Sequence, residues 1–544
     1  MPPMISDPGH PAWSAFLTFL QRAALAQQNG QAEARAIWLE AAALLQAVDH
    51  DTIERITGEL LEQRRHDDAI SFAAIIAQLW PDEAIASFRL GYALQLANRH
   101  RDALAPYRHA LALDPQLPQL RTNLAGALSL SGGDVAEQVG LLESALEADP
   151  LDSNAWTNLA QASRFAMNLP RALEAGARAV ELAPDSPLAL NNYALALKEA
   201  QRWDEAVQLT QTACERAPGD PTMRSNLAML HLVRGDYVHG WPAHEARWQG
   251  SLELGGNRPA MPAPQWQGES LAGKTLLVWG EQGMGDLLQC CRFIPLLAER
   301  VHAQGGRVIW NSFPQMGALL VRSLGSHLDG YSAGGGVETL PPFDYEIPLM
   351  SVPLVLGTLD NTLPGTVPYL HSDAAASASW RARLAREKRL KVGLAWTGSL
   401  NHQRNPFRAV GWERFASAFA GIGGAAFYSL QPGAASDVAA AQTAGLPMAD
   451  YTAELRSFDD TAAFVSALDL VITVCTSVAH LSGAIGQRTW VLLDVNPHWT
   501  WLLERRDNPW YPSATLYRQR QFGDWTPVLD EVMRNLDALA DQHR

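Results

Sequence analysis

The 544-residue sequence has few cysteines, no surplus of positive charge and no long apolar run. Cys214, Cys290, Cys291 and Cys475 are the only cysteines, and no two form a Cys-x-x-Cys pair, so a disulfide framework is excluded. Lys and Arg number 42 against 57 Asp and Glu, a net charge of −15. Such a balance offers no electrostatic footprint for a phosphate backbone, which argues against general nucleic-acid binding. Nothing approaches the ~18 uninterrupted apolar residues that a membrane span needs. Met1 to Gly30 lacks a basic start, a compact apolar run and a small-residue cleavage site, so it makes a poor signal peptide. The expectation is a soluble, cytoplasmic protein. With 47% apolar and 18% charged residues, the composition is that of a globular chain. Its length suggests about three to four structural units.

What is present is, first, a repeat. Prolines recur at Pro81, Pro115, Pro150, Pro184 and Pro218, spaced by 34, 35, 34 and 34 residues. Ala34, Ala69, Ala103, Ala172 and Ala206 mark one phase of nearly the same period. A second small or apolar residue follows each by seven: Ala41, Ile76, Ala110, Ala179 and Ala213. Gly91, Ala160, Ala194 and Ala228 occupy a matching point on the preceding helix of their units. Two helices pack closely only where side chains are small, and a proline stops the second helix before the next unit begins. Gln138 interrupts the alanine phase, next to a one-residue insertion near Ser131-Gly132-Gly133. The blocks Leu90-Gly91…Ala103…Tyr107…Ala110…Pro115 and Trp156…Leu159-Ala160…Ala172…Ala179…Pro184 resemble tetratricopeptide repeats, over residues 16–238. Such an α-solenoid has a concave face that binds a peptide or protein segment. The plain alternative is a structural array that dimerises or braces the rest.

From Trp241 onward the pattern changes. A polar stretch, Gly255 to Glu269, reads as the connection, within a linker over 239–271. Thr275–Trp279 is a short apolar run that ends in Gly280-Glu281-Gln282-Gly283-Met284-Gly285-Asp286, and a helix is expected from Leu287 to about Ala303. Apolar run, glycine turn and helix open a βαβ unit. Strands are also expected at Val308–Trp310 and Tyr345–Ile347, with helices near Met316–Leu324 and Val352–Leu356. This first unit spans 272–373, and a helical linker occupies Ala374 to Arg389. A second alternation fills 390–544, with strands at Lys391–Trp396, Ala426–Leu430, Leu470–Val474 and Thr489–Leu493. Its helices are expected at Trp412–Phe419, Thr461–Leu468, Val478–Ala484 and Trp525–Leu539. Two such units imply two parallel sheets facing a cleft, with ligand beyond the carboxyl ends of the strands. The Gly280–Asp286 turn, the Trp396–Arg408 loop and the Cys475–His480 turn are the expected walls.

Each wall carries candidate chemistry. Gly283-Met284-Gly285-Asp286 is neither a dinucleotide fingerprint nor a P-loop, because Leu288 stands where a third glycine belongs and no Lys-Ser/Thr follows. Asp286 could act as a general base on an acceptor hydroxyl, or simply cap its helix. Thr476 and Ser477 open a helix whose free N–H groups suit an anion, with His480 downstream; a capping turn is the alternative. Cys475 and His480 lie five residues apart, a poor spacing for a direct pair on a helix, so a thiol enzyme is disfavoured. Arg404 or Arg408 could hold a diphosphate, or the loop could be merely solvated. Asp459-Asp460 is expected to cap the following helix. No Cys/His ligand cluster or acidic metal motif stands out, so no metal is expected.

Taken in order, several segments are similar to one family. They are Gly280–Asp286 with Arg292–Leu296, Val392–Gly398, Ser429–Gln431, Val471–Thr476 with His480, and Asn508–Pro512. They resemble bacterial TPR-containing glycosyltransferases whose C-terminal part is similar to the family-nine heptosyltransferases. Gly240-Trp241…Glu245…Arg247-Trp248 resembles that family's ending of the repeat array. The resemblance implies a GT-B fold of two Rossmann-like domains, nucleotide-sugar chiefly on the second, and metal-independent transfer with no cofactor. It implies Asp286 as catalytic base, donor contacts at Gly283, Gly285, Thr397, Arg408, Gln431, Thr476, Ser477 and His480, and a protein acceptor such as flagellin on the repeats. Two departures stand out: Cys475 where the pattern has Asp, and the pair Asn405 and Ala409 where related loops carry an acid and a Ser. They leave open a different, acidic donor, or a weak or inactive adaptor with a structural or nucleotide-sensing GT-B part.

Overall fold

The computed structural model describes residues 57–251, 253–256, 258–281, 283–358 and 363–543. The repeat phases marked by Ala34 and Ala41 lie outside the described residues. The chain divides into two compact units, 1–196 and 197–544.

The first unit is an array of helical hairpins. Ala84–Leu96 is followed by His100–Leu113, Leu120–Ser131 by Val135–Ala148, and Ser153–Phe165 by Leu169–Leu182. His66–Leu79, His100–Leu113, Val135–Ala148 and Leu169–Leu182 each end two residues before a proline of the 34-residue series. Asp134, Asp152 and Asn168 cap helix starts by accepting backbone N–H groups. Ala69, Ala103, Ala110, Ala172 and Ala179 are fully buried between helices. A Cβ on Gly91 would sit 2.6 Å from the Tyr107 ring, so glycine permits the contact that aligns that hairpin. Gln138, buried at the alanine phase, donates from Nε2 to the Gly133 carbonyl at 3.1 Å. The inserted glycine turn thus supplies the partner that a polar core residue needs.

The second unit begins with the last helices of the array, Trp203–Arg216, Pro221–Val233, Tyr237–His244 and Arg247–Gly250, and continues into two parallel sheets. Together with the repeats, this makes an α-helical TPR array followed by two α/β layers, an arrangement consistent with a GT-B-like fold. The first sheet has the order β3-β2-β1-β4, from β1 (Thr275–Trp279), β2 (Arg307–Ser312), β3 (Gly330–Ala333) and β4 (Tyr345–Pro348). Leu277 pairs in register with Ile309 and Val278 with Ile347. The second has the order β10-β9-β8-β5-β6-β7. Its strands are β5 (Leu390–Ala395), β6 (Ala425–Ser429), β7 (Met448–Asp450), β8 (Leu470–Val474), β9 (Thr489–Leu493) and β10 (Ala514–Arg518). β6, β8 and β9 are buried along their full length, as parallel strands covered on both faces must be.

Some expected elements take another form. The helix expected over 287–303 is two helices, Met284–Cys290 and Ile294–His302, joined by a tight turn at Cys291–Phe293. Pro295 explains the break, because it lacks an N–H and its ring would clash with the carbonyl four residues back. The helix expected at Thr461 starts at Phe458, capped by Ser457 in a reciprocal capping box with Asp460. Asp459 is no cap: its carboxylate pairs with Arg322. β3, β7 and β10 were not expected from the sequence.

Candidate functional site

The carboxyl ends of β1, β5, β6, β8 and β9 all lead into loops that carry candidate residues. Beyond β1, Gly283 holds the cap position of helix Met284–Cys290, and Asp286 is its third residue. Asp286 therefore does not occupy the capping position. Its side chain, 21% exposed, places Oδ1 3.4 Å from His498 Nε2 on the loop after β9. Burial works to raise this carboxyl, but the His498 hydrogen bond and charge outweigh it and hold Asp286 below the ordinary aspartate range.

Helix Met284–Cys290 packs against helix Ser477–Ala484, which opens after β8. A Cβ on Gly285 would lie 2.9 Å from His480 Cδ2, so glycine lets the two helices meet. His480 is buried beneath that contact, its Nδ1 3.0 Å from the Tyr511 hydroxyl. Burial, then the charges of His498 and Arg408, lower its pKa to about 3, so the ring is neutral and lends packing rather than charge. Thr476 caps the same helix in an extended conformation without a side-chain capping bond, and Thr476 and Ser477 are both half-buried. What this turn offers an anion is its backbone N–H groups.

Opposite stands the loop after β5. The Thr397 N–H donates to Gln431 Oε1 at 3.2 Å, which ties this loop to the end of β6. Asn405 serves two sides: Oδ1 accepts from the Gly398 N–H at 3.0 Å, and Nδ2 donates to Thr397 Oγ1 at 3.0 Å. An aspartate could not make the second bond, which is the local reason for Asn405 here. A Cβ on Gly398 would press on the Arg408 guanidinium, so glycine lets that guanidinium lie against the loop. Arg404 and Arg408 then part ways. Arg404 is bound by Glu199 at 2.6 Å and Asp494 at 2.7 Å, both carboxylates being almost wholly buried. Among the described residues Arg408 has no ion pair, and its Nε is buried with no hydrogen-bond partner. Of the two arginines, only Arg408 retains binding capacity. Its charge reaches Cys475, His402 and His480. His402 falls to about 4, by burial first and Arg408 second.

Cys475 accepts a 3.1 Å hydrogen bond from Trp501 Nε1, and burial pushes its thiol up, so it is a packed, protonated side chain rather than a nucleophile.

The Asp286 turn is clamped from behind. Arg247 reaches Glu281 at 2.7 Å, with both side chains 1% exposed, and Glu245 at 2.8 Å. Glu281 also accepts the Met350 N–H at 2.7 Å, and Arg247 donates to Ser351 Oγ at 2.8 Å. Burial, opposed by Arg247, leaves the Glu281 carboxyl at about 7. The repeat-ending motif Trp241…Glu245…Arg247 thus holds the turn that bears Asp286, and Trp241 Nε1 itself donates to the Thr358 carbonyl at 2.9 Å.

His231, Asp236 and His239 form a group among the described residues with metal-ligand chemistry, their ligand atoms within 4.8 Å of one another. Both imidazoles are hydrogen-bonded to Asp236, which also caps helix Tyr237–His244. The group lies on the last helices of the array and contributes nothing to the Asp286 loop. The sequence reading had passed over its His-x4-Asp-x2-His spacing.

The structure therefore gathers Asp286, Gly285, His480, the Thr476–Ser477 turn and Arg408 around the ends of the two sheets, with Gly283 exposed beside Asp286. Thr397 and Gln431 shape the Arg408 loop. His498 and Asp494 are absent from the sequence reading, and Arg247 and Glu281 appear there only within motifs, not as partners. A lone histidine and ion-pair partners 34 or 90 residues apart leave no local pattern.

Residues 59–118, 130–187 and 164–221 match the tetratricopeptide repeat family. Over 522 residues the chain is 26% identical to Protein FlbA of Caulobacter vibrioides, spanning 92% of this chain and 80% of that protein. Among solved structures, a family 9 glycosyl transferase from Veillonella parvula matches with 11% identity and a TM-score of 0.39, over 51% of this chain and all of its own. Pseudomonas aeruginosa PilF matches with 19% identity and a TM-score of 0.32, over 38% of this chain and 95% of its own. Among the described residues, no helix is long and apolar enough to cross a membrane.

Proposed function

We propose that the α/β part is a metal-independent glycosyltransferase that moves a sugar from a nucleotide-sugar to a hydroxyl of a protein acceptor, with the repeats recruiting that acceptor. The observation that carries this reading is Arg408, a guanidinium with a buried, partnerless Nε on the wall opposite an accessible carboxylate. A cation with no ion pair among the described residues suits a ligand that brings its own negative charge. In the proposed reaction the acceptor oxygen attacks the anomeric carbon as Asp286 takes its proton. The bond to the donor phosphate breaks, and the charge that develops on that phosphate meets Arg408 and the N–H groups at Ser477. Gly283 and Gly285 leave room beside the carboxylate, and Thr397 and Gln431 keep the Arg408 loop in place. Flagellin is the acceptor suggested by the sequence resemblance, and the cytoplasm the compartment suggested by the composition.

The test is incubation of purified protein with a panel of nucleotide sugars and acceptor, read by intact mass. We expect a mass gain that Asp286→Ala abolishes. No gain with any donor, together with unchanged cellular glycosylation in Asp286→Ala cells, would remove the reading. A second reading, a nucleotide-sensing adaptor, is favoured by Cys475, which faces Trp501 where the family pattern has a carboxylate. Calorimetry separates the two: tight nucleotide binding without donor hydrolysis or transfer supports the adaptor.

A further inference from the structure

Asp286 and Gln289 stand three residues apart on helix Met284–Cys290, so their side chains share one face. Both grip the loop that follows β9. Asp286 Oδ1 is 3.4 Å from His498 Nε2, and the Thr500 hydroxyl donates to Gln289 Oε1 at 2.7 Å. Gln289 and Thr500 are fully buried. The hydroxyl of Thr500 lies 2.8 Å from His498 Nδ1, and the Thr500 backbone N–H points at the same nitrogen at 3.4 Å. The ring is thereby held on its Nδ1 side, with Nε2 facing Asp286.

The two carboxylate oxygens are thus unlike. Oδ1 is held by His498. Oδ2 is the atom that a Cβ on Gly283 would approach to 3.2 Å, and Gly283 is exposed. From this geometry we infer that His498 is a positioning residue, which fixes Asp286 so that Oδ2 alone meets the acceptor hydroxyl, across the gap that Gly283 leaves open. This rests on Asp286 being the base. In the step, the acceptor O–H bond breaks and its proton passes to Oδ2. The freed oxygen bonds the anomeric carbon, and the donor's phosphate leaves with the electrons of the broken C–O bond.

The groups that face this pair are His480 from helix Ser477–Ala484, His244 from helix Tyr237–His244, His402 and Arg408 from the loop after β5, and Cys290 on Asp286's own helix. Burial first of all keeps the three histidines neutral, with His480 at about 3 and His402 at about 4, and raises the Cys290 thiol. An acidic limb in the pH profile therefore reports Asp286. Loss of His498 removes the main influence that holds that carboxyl down, so the limb moves to higher pH.

The experiment compares His498→Ala, His498→Gln, Gly283→Ala and Asp286→Asn in the full-length chain, each checked by thermal melting and by calorimetry with the nucleoside diphosphate of the working donor. We expect His498→Ala to lower kcat roughly tenfold or more, with donor KM within about twofold, and to shift the acidic limb upward by about one pH unit. His498→Gln, which keeps an N–H donor, should restore much of both. Gly283→Ala should lower kcat without weakening nucleotide binding. An unchanged limb and kcat in His498→Ala, while Asp286→Asn is inactive, overturns the role of His498 alone. Full transfer by Asp286→Asn overturns the reading of the base itself. A readout independent of turnover is long-range proton–nitrogen correlation on 15N-histidine protein, with the His498 signal assigned by its loss in the variant. A proton on Nε2 is expected, and an Nε2 without a proton overturns the inference.

Discussion

The two walls of the site use the same device to opposite ends. On the first wall, Arg247 is gripped by Glu245 and Glu281, and Glu281 belongs to the loop that presents Asp286. On the second, Arg404 is gripped by Glu199 and Asp494, and Arg404 belongs to the loop that presents Arg408. In both cases an arginine between two carboxylates pins a loop that glycine and polar residues would otherwise leave loose. The first wall then shows a carboxylate and the second a cation. They differ in access to water: Arg247 is 1% exposed and Arg404 is 25% exposed. A buried ion pair adds little net stability, but breaking it strands a charge. Its use here is to fix where the remaining charge of each wall sits.

The largest effect should come from the drier clamp. Arg247→Ala is expected to destabilise the fold by about 3–5 kcal/mol in urea titration, since Glu281 is left buried without its counter-charge. Arg404→Ala should cost less, because the Arg404 side chain is itself partly exposed and water can enter where it is removed; equal costs would erase the distinction between the walls. Next is pH. The Glu281 carboxyl, raised by burial to about 7 from 4.5, binds its proton more tightly in the folded state than in the unfolded. Its contribution is therefore complete below about 4.5 and is lost as pH rises to about 7, by at most roughly 3 kcal/mol. Thermal melting of the wild type across that window should show the loss, and Glu281→Gln should flatten it. On the cationic wall, Arg408→Ala should weaken nucleotide binding by about 10- to 100-fold in calorimetry, as expected for a lost charge-assisted bond. It should leave the melting temperature nearly unchanged, because Arg408 has no ion pair to lose among the described residues. The smallest effect is Asn405→Asp, which removes the donor to Thr397 and should cost about 1 kcal/mol in stability.

How much of this could be read beforehand varies with position in the fold. Leu470–Val474 and Thr489–Leu493 are strands with the bounds their apolar runs suggested, because central parallel strands are covered on both faces and must be apolar throughout. β3, β7 and β10 escaped notice, and all three lie at the edges of their sheets. Gly330-Tyr331-Ser332-Ala333 has no buried residue, and Met448–Asp450 has one, so neither carries the apolar run that marks a strand. Of the candidate site, Asp286, Arg408 and the Thr476–Ser477 turn were visible because each follows an apolar run at a glycine or polar turn. His498 was not, since its meaning depends on a helix 212 residues earlier in the chain.

Sequence alone determined the period of the repeat, the points where its helices stop and the parallel α/β layers, and it pointed to the strand ends as the candidate site. These follow from local rules: proline cannot continue a helix, small residues let helices meet, and buried strands exclude polar side chains. Only the tertiary structure decided which arginine is spent and which is free, that Asp286 faces His498 rather than capping its helix, and that Cys475 packs instead of reacting. Those outcomes depend on carboxylates and rings brought from distant segments, and the energy of a charge is set by what surrounds it in space, not by its neighbours along the chain.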